Sequence, residues 1–382
     1  MNQVSGLVPL RLSILIPTFC RYGRLFRGLS YLNEISSHPE FQSLFQGVEV
    51  LIADGTHFEG MVSSEEELRL KVLSLVDKLN GRFRVSFFSQ PGRSLQERFA
   101  WLSTQASAPY VTMLGDEDML AFDSVEKWLD ELDLNPDVAA ITGHYVDIKG
   151  FARLGSRLSI RYEEGLVYGC NIDALDVRGR LLQHLCLGLA GLPPISYSLM
   201  RKEIFANFSL CLLGSSDFDS YCGAEALLAT LMVSAGEVRI KDLPYVFRDF
   251  TYMNHSSSEA QWSDPVKDKK ALVMAIKQVN KMYGCFGGDD DIAVFVDQLN
   301  EIGGYGRPAW FSLLGFIAPA QKALSRIVRK KINPISLRCA TMAWQSTALI
   351  CYGKNDLKAV GFVDFSVSSL AEKFLQKLKP RA

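Results

Sequence analysis

Two hydrophobic rhythms alternate through the first half of the chain. Leu12, Ile14, Leu15 and Ile16 form a short, nearly unbroken apolar run stopped by Pro17, the pattern of a strand buried on both faces. Residues 22–34 then repeat apolar positions at helical spacing, with Leu25, Phe26, Leu29 and Leu32 on one side. A second apolar run, 48–53, is closed by the turn signal Asp54-Gly55-Thr56. Ser64 and Glu67 form a capping box ahead of an amphipathic stretch at 68–79. A third strand is predicted at 83–89. After Gly92 and Arg93, Ser94 with Glu97 caps a helix running to about Ala106. Residues 109–114 predict a fourth strand, which ends on Gly115, Asp116, Glu117 and Asp118. Asp123 and Glu126 open a helix to Leu132, and 138–146 predict a fifth strand. Strands alternating with helices imply crossover connections and a doubly wound parallel sheet, an α/β fold.

Beyond Gly150 the rhythm is less regular. Helices are predicted at 178–189 and 225–234, with short strands at 195–200 and 237–241. Past Glu259 helical spacing takes over, at 266–282, 292–301, 318–330 and 369–378, joined by Gly287-Gly288 and Gly303-Gly304. This change places a boundary near Glu259, with a mainly helical C-terminal region after it.

The bulk numbers narrow the function classes. Of 382 residues, 48% are hydrophobic and 22% charged, so the chain can bury a sizeable core. A net charge of -1 gives no electrostatic footprint for nucleic acid, and any anionic ligand must be held by a local site. The eight cysteines are scattered without a C-x-x-C pair, against structural zinc and against a disulfide framework. The apolar stretch at 12–17 has one preceding basic residue, Arg11, and reads as a strand rather than a signal peptide. The later apolar run, 185–200, contains Pro193-Pro194 and is too short to span a bilayer. The expectation is a soluble, cytoplasmic chain, with room for peripheral contact at the inner face of a membrane.

Ligands of doubly wound sheets sit at the carboxyl ends of the strands. Here those ends carry Pro17 and Thr18, Asp54 and Gly55, Gln90 and Pro91, and the acids at 116–118. On an extended segment Asp116 and Asp118 would face one side while Glu117 points away. Two such carboxylates repel unless a cation sits between them, and Mg²⁺ or Mn²⁺ suits an oxygen site completed by substrate phosphates. The plainer reading is a solvated loop leading into a helix that favours acids at its start. Position at a strand end tips the balance toward the cation. Arg93 and Arg98, around the start of the following helix, suit phosphate oxygens; Arg98 equally suits a surface pairing with Glu97 or Glu126.

Three segments carry a resemblance. The run 12–21, ending Pro17-Thr18-Phe19-Cys20-Arg21, resembles the opening strand of family-2-like glycosyltransferases of the GT-A fold. Residues 50–56, ending Asp54-Gly55-Thr56, are similar to that family's second strand and turn, and 109–118 to its strand and D-x-D motif. Order and spacing agree over roughly the first 150 residues. The resemblance implies a Rossmann-like GT-A nucleotide-diphospho-sugar transferase domain over 1–258, with a nucleotide-binding half (1–150) and an acceptor half (151–258), ahead of the helical region 259–382. It further implies a hexosyltransferase-type enzyme that moves a sugar from a nucleotide-diphospho-sugar to an acceptor hydroxyl with inversion, in surface glycan or polysaccharide synthesis. The acceptor would be a glycan, a lipid-linked molecule or a protein.

Carried over by position, Pro17, Thr18 and Arg21 line the nucleotide pocket, Asp54 accepts a hydrogen bond from the base, and Asp116 meets the donor. Asp116 and Asp118 hold Mn²⁺ or Mg²⁺, joined by a late His255 with Arg248 nearby. Cys20 stands where the family has Asn, and Ala53 where it more commonly has Asp. The catalytic base falls on Glu225, with Asp219 and Asp217 as competitors whose simpler explanation is helix capping. In the C-terminal region, the apolar 310–317 beside the basic 322–331 suits a membrane surface, packing on the catalytic domain, or dimerisation. Two other functions compete. A sugar nucleotidyltransferase would need a glycine-rich loop, and 18–24 has too few glycines. A non-catalytic sugar-nucleotide-binding or scaffold protein would keep the fold without turnover.

Overall fold

The structure, a computed structural model, describes residues 8–57, 59, 63–150, 158–162, 171–189, 195–215, 218, 221–249, 265–303, 335–336, 339–340 and 342–343. In chain order the elements are β1 (Leu12–Thr18), α1 (Tyr22–Ser36), α2 (Gln42–Gln46), β2 (Val48–Asp54), α3 (Ser63–Asn80), β3 (Arg84–Ser89), α4 (Leu95–Gln105), β4 (Tyr110–Met113), β5 (Met119–Leu120) and α5 (Val125–Leu134). They continue with β6 (Val138–Gly150), β7 (Leu158–Tyr162), α6 (Val177–Leu189), β8 (Leu199–Arg201), α7 (Lys202–Leu213), α8 (Tyr221–Ala235), β9 (Glu237–Asp249), α9 (Pro265–Tyr283) and α10 (Asp289–Gly303).

The expected α/β architecture is present. β3, β2, β1 and β4 lie side by side and parallel, with helical crossovers from β1 to β2, from β2 to β3 and, through α4, from β3 across to β4. β2 is buried along its whole length, its apolar residues interrupted only by Glu49, which accepts from the Ser13 hydroxyl, and ended by Asp54. Ser94 caps α4 as predicted: its hydroxyl accepts from the Glu97 amide, and the Glu97 carboxylate accepts from the Ser94 amide.

The other half of the sheet departs from a doubly wound parallel plan. The strand expected fifth, β6, does not join β4. The three-residue β8 intervenes and runs antiparallel to both. β9 follows parallel to β6, and the two-residue β5 closes the edge antiparallel to β9. The strand expected at 195–200 is therefore a 3₁₀ turn, Ile195–Tyr197, followed by β8. The strand expected to end at Lys241 continues to Asp249. The β5–β9 pairing matters for the site, because it sets Met119 opposite Phe247 and so brings the acid turn beside Arg248.

Two apolar layers flank the sheet. One combines α1, α3 and α5 with Tyr22, Leu29, Phe122 and Trp128 at its centre, and takes in Cys339, Ala340 and Ala343. The other joins α4, α7 and α8 to α9 and α10 through Phe99, Phe208, Leu228, Ile276 and Phe295. α9 and α10, beyond Glu259, thus extend the same core layer. No described helix is long and apolar enough to cross a membrane. The expected helices at 318–330 and 369–378, and the apolar and basic stretches at 310–317 and 322–331, lie outside the described residues.

Candidate functional site

β1 and β4 are neighbours in register, with Leu15 opposite Met113, and the Leu114 amide donates to the Leu15 carbonyl at 3.0 Å. Their carboxyl ends therefore meet, bringing Thr18 and Arg21 against Asp116 across nearly a hundred residues of sequence. The Thr18 hydroxyl donates to Asp116 Oδ2 at 2.9 Å, and Arg21 lies 3.0 Å from Asp116 Oδ1.

The acids do not sit on an extended segment. Residues 115–118 form a turn in which the Asp118 amide donates to the Gly115 carbonyl at 3.1 Å, and the Gly115 amide donates to Asp118 Oδ2 at 3.3 Å. A Cβ at residue 115 would stand 2.7 Å from that oxygen, so glycine is what lets the Asp118 carboxylate fold back. Both aspartates are buried, at 3% and 8% exposure. Glu117 is not turned aside: Arg21 and Arg24 both donate to its Oε2.

Burial dominates the electrostatics. It pushes the Asp116 carboxyl up to about 6, against the lowering effect of Arg21 and with repulsion from Glu117. It pushes Asp118 up to about 7, reinforced by Glu117 and Asp116 and opposed by Arg248. Burial also works against the Arg21 charge, but Asp116, Glu117, Asp118 and Tyr197 outweigh it and keep the guanidinium protonated. Both carboxylates are oxygen donors that resist ionising together, and oxygen donors are the type a hard divalent cation takes. Among the described residues no group of three His, Cys, Asp or Glu side chains is arranged to hold a metal by itself. A cation here would complete its shell with substrate oxygens or water.

Other expected residues occupy varied settings. Asp54 is fully buried and accepts from the Tyr22 hydroxyl at 2.6 Å, from the Thr56 amide at 3.0 Å and from the Thr56 hydroxyl. Its carboxylate is enclosed and already satisfied by donors within the protein. Arg98 is 6% exposed and donates to the carbonyls of Thr18 and Ser94, so it braces the end of β1 rather than pairing with Glu97 or Glu126. Arg93 is exposed and Pro17 half-buried. Glu225 does not open α8 but is its fifth residue, half-buried, on a helix packed against the Ile195–Tyr197 turn. Asp217, Asp219 and His255 lie outside the described residues.

Several participants escaped the sequence. Phe19, 46% exposed, presents an aromatic face at the end of β1, with the Arg98 guanidinium 5.8 Å from its ring centroid. Arg24 lies one helical turn after Arg21, a spacing that could have flagged it. Tyr197 had no local signal, and Arg248 was expected only as a neighbour of His255. Arg248 stacks 4.8 Å over the Tyr145 ring, which meets Tyr197 edge-on at 5.9 Å.

No protein-family model matches the chain. No curated protein matches it by sequence either. Among solved structures, it is similar to residues 1–349 of TarS from S. aureus, at 11% identity and a TM-score of 0.47, covering 97% of this chain and 93% of that one. The same TarS segment in complex with UDP-GlcNAc matches at 11% identity and 0.48, and in complex with UDP at 10% and 0.48, with the same coverage.

Proposed function

We propose that this chain is a glycosyltransferase that takes a sugar from a nucleotide-diphospho-sugar donor to an acceptor hydroxyl, with inversion at the anomeric carbon. One observation carries the reading. At the carboxyl ends of adjacent parallel strands, Thr18 and Arg21 converge on the buried Asp116, one turn from the buried Asp118. Residues 1–150 hold the donor and 151–258 the acceptor.

In this reading Asp116 and Asp118 would hold Mn²⁺ or Mg²⁺, which would supply charge neutralisation for the departing diphosphate. The remaining work belongs to side chains. Thr18 fixes the orientation of the Asp116 carboxylate by its 2.9 Å hydrogen bond. Arg21 offers a permanent positive charge to phosphate oxygens. The exposed ring of Phe19 gives the base a stacking surface. A carboxylate on the acceptor side, Glu225 or Asp219, takes the acceptor proton as the new C–O bond forms and the bond from the anomeric carbon to phosphate oxygen breaks. The acceptor is a glycan, a lipid-linked molecule or a protein, reached from the cytoplasmic side.

Calorimetric titration with UDP, GDP and dTDP-sugars, with and without Mn²⁺, tests the reading; UDP and UDP-GlcNAc are the first probes. The expected result is cation-dependent binding and turnover that is lost in Asp116→Ala. Absence of nucleotide-sugar binding under every metal condition would sink it.

A further inference from the structure

The contact between Glu117 and the start of α1 serves no capping role. Arg21 is the N-cap residue of α1 yet makes no side-chain cap, and the first turn of the helix contains no acid. Two guanidinium groups, Arg21 and Arg24, project from this start and end on a single carboxylate oxygen, Glu117 Oε2, brought from the turn between β4 and β5. Arg21 also reaches Asp116. The cluster is open to solvent in part: the side chains of Arg21, Glu117 and Arg24 are 35%, 28% and 13% exposed. A dissolved anion can therefore reach the arginines from the side on which the ends of β1 and β4 converge.

We infer that Glu117 is a resident stand-in for a phosphate group, holding Arg21 and Arg24 together until a diphosphate displaces it, and that Arg24 is a second phosphate-binding arginine. The chemistry favours the exchange. A single carboxylate oxygen shared by two guanidinium forks leaves most of their donors without an anionic acceptor, whereas a diphosphate offers several oxygens and more charge. The resident carboxylate keeps two like charges from repelling before ligand arrives, at the cost of competing with it. The identification of the diphosphate as part of a sugar donor rests on the function proposed above; the exchange itself requires only a diphosphate.

The probe is inorganic pyrophosphate, titrated into the metal-free full-length protein in the presence of EDTA. Glu117→Gln keeps the shape and removes the competing charge, so it should bind pyrophosphate about fivefold more tightly than wild type, the scale of one partly exposed ion pair. Arg24→Gln should weaken binding, and in Arg24→Gln/Glu117→Gln the gain from the Glu117 change should shrink, because the two residues are coupled. Should Glu117→Gln fold poorly by circular dichroism, Glu117→Asp, shorter by one methylene, should give a smaller gain in the same direction. Unchanged or weaker pyrophosphate binding in the folded Glu117 variants overturns the inference, as does no pyrophosphate binding in any of these proteins. A parallel titration with UDP-GlcNAc and Mn²⁺ separates the two claims. Nucleotide-sugar binding without the Glu117 gain overturns the exchange alone. The Glu117 gain with no nucleotide-sugar binding leaves the exchange standing and removes the donor.

Discussion

The acid turn should make the metal-free protein less stable as pH rises through neutrality, the reverse of ordinary acid denaturation. Asp116 and Asp118 hold their protons to about 6 and about 7 in the folded chain, because burial and mutual repulsion disfavour the anions. In the unfolded chain an aspartate ionises near 3.9. Between roughly pH 4 and pH 7 the folded state therefore binds more protons than the unfolded state, and unfolding free energy falls as pH increases. The contribution is fully present below the unfolded value and lost as pH passes the folded ones. The loss falls between about pH 5 and pH 8 and amounts to a few kcal/mol, on the order of 4, for the two carboxyls together. Urea unfolding of EDTA-treated protein across this range measures it. Asp116→Asn and Asp118→Asn should each flatten the slope, and Mn²⁺ should restore more stability at pH 8 than at pH 5. A wild-type profile that rises from pH 5 to pH 8, or one left unchanged by both substitutions, would refute the reasoning.

Three further outcomes follow from single contacts. Gly115→Ala places a methyl group against Asp118 Oδ2, so it should displace that carboxylate, weaken Mn²⁺ binding in calorimetry and cost about 1–3 kcal/mol in urea unfolding. Tyr22→Phe removes the 2.6 Å hydrogen bond to the enclosed Asp54 and should cost about 2 kcal/mol. Because that carboxylate faces inward, nucleotide affinity should stay within about twofold; a tenfold loss would mean that Asp54 contacts the base. Ser13→Ala breaks a buried link in which the hydroxyl donates to Glu49 at 2.6 Å and accepts from the Ala108 amide at 3.1 Å. It should cost about 2 kcal/mol while leaving turnover of the folded enzyme unchanged, separating stability from function.

The sequence determined what local pattern can determine. Parallel strands covered on both faces are apolar at most positions, so β1, β2 and β4 were legible as runs despite Ser13, Glu49 and Thr112, and α4 was legible from Ser94 and Glu97. The acids at 116–118 could be placed at a strand's carboxyl end by the same reasoning. Tertiary structure alone decided the rest. β5 and β8 are two and three residues long, too short to show any period. α7 buries Ile204, Phe205, Phe208 and Leu212 but leaves Leu210 and Leu213 exposed, and that blurs its face. At the site, the alternation rule for extended chain failed because 115–118 is a turn held by its own amides. That Asp54 is closed off by Tyr22, that Glu117 engages two arginines, and that Arg248 faces Asp118 all depend on elements brought together by strand order. Side-chain periodicity records which face of an element is covered. It carries no information about which distant element does the covering, and in this chain that partner decides where each carboxylate points and how strongly it holds its proton.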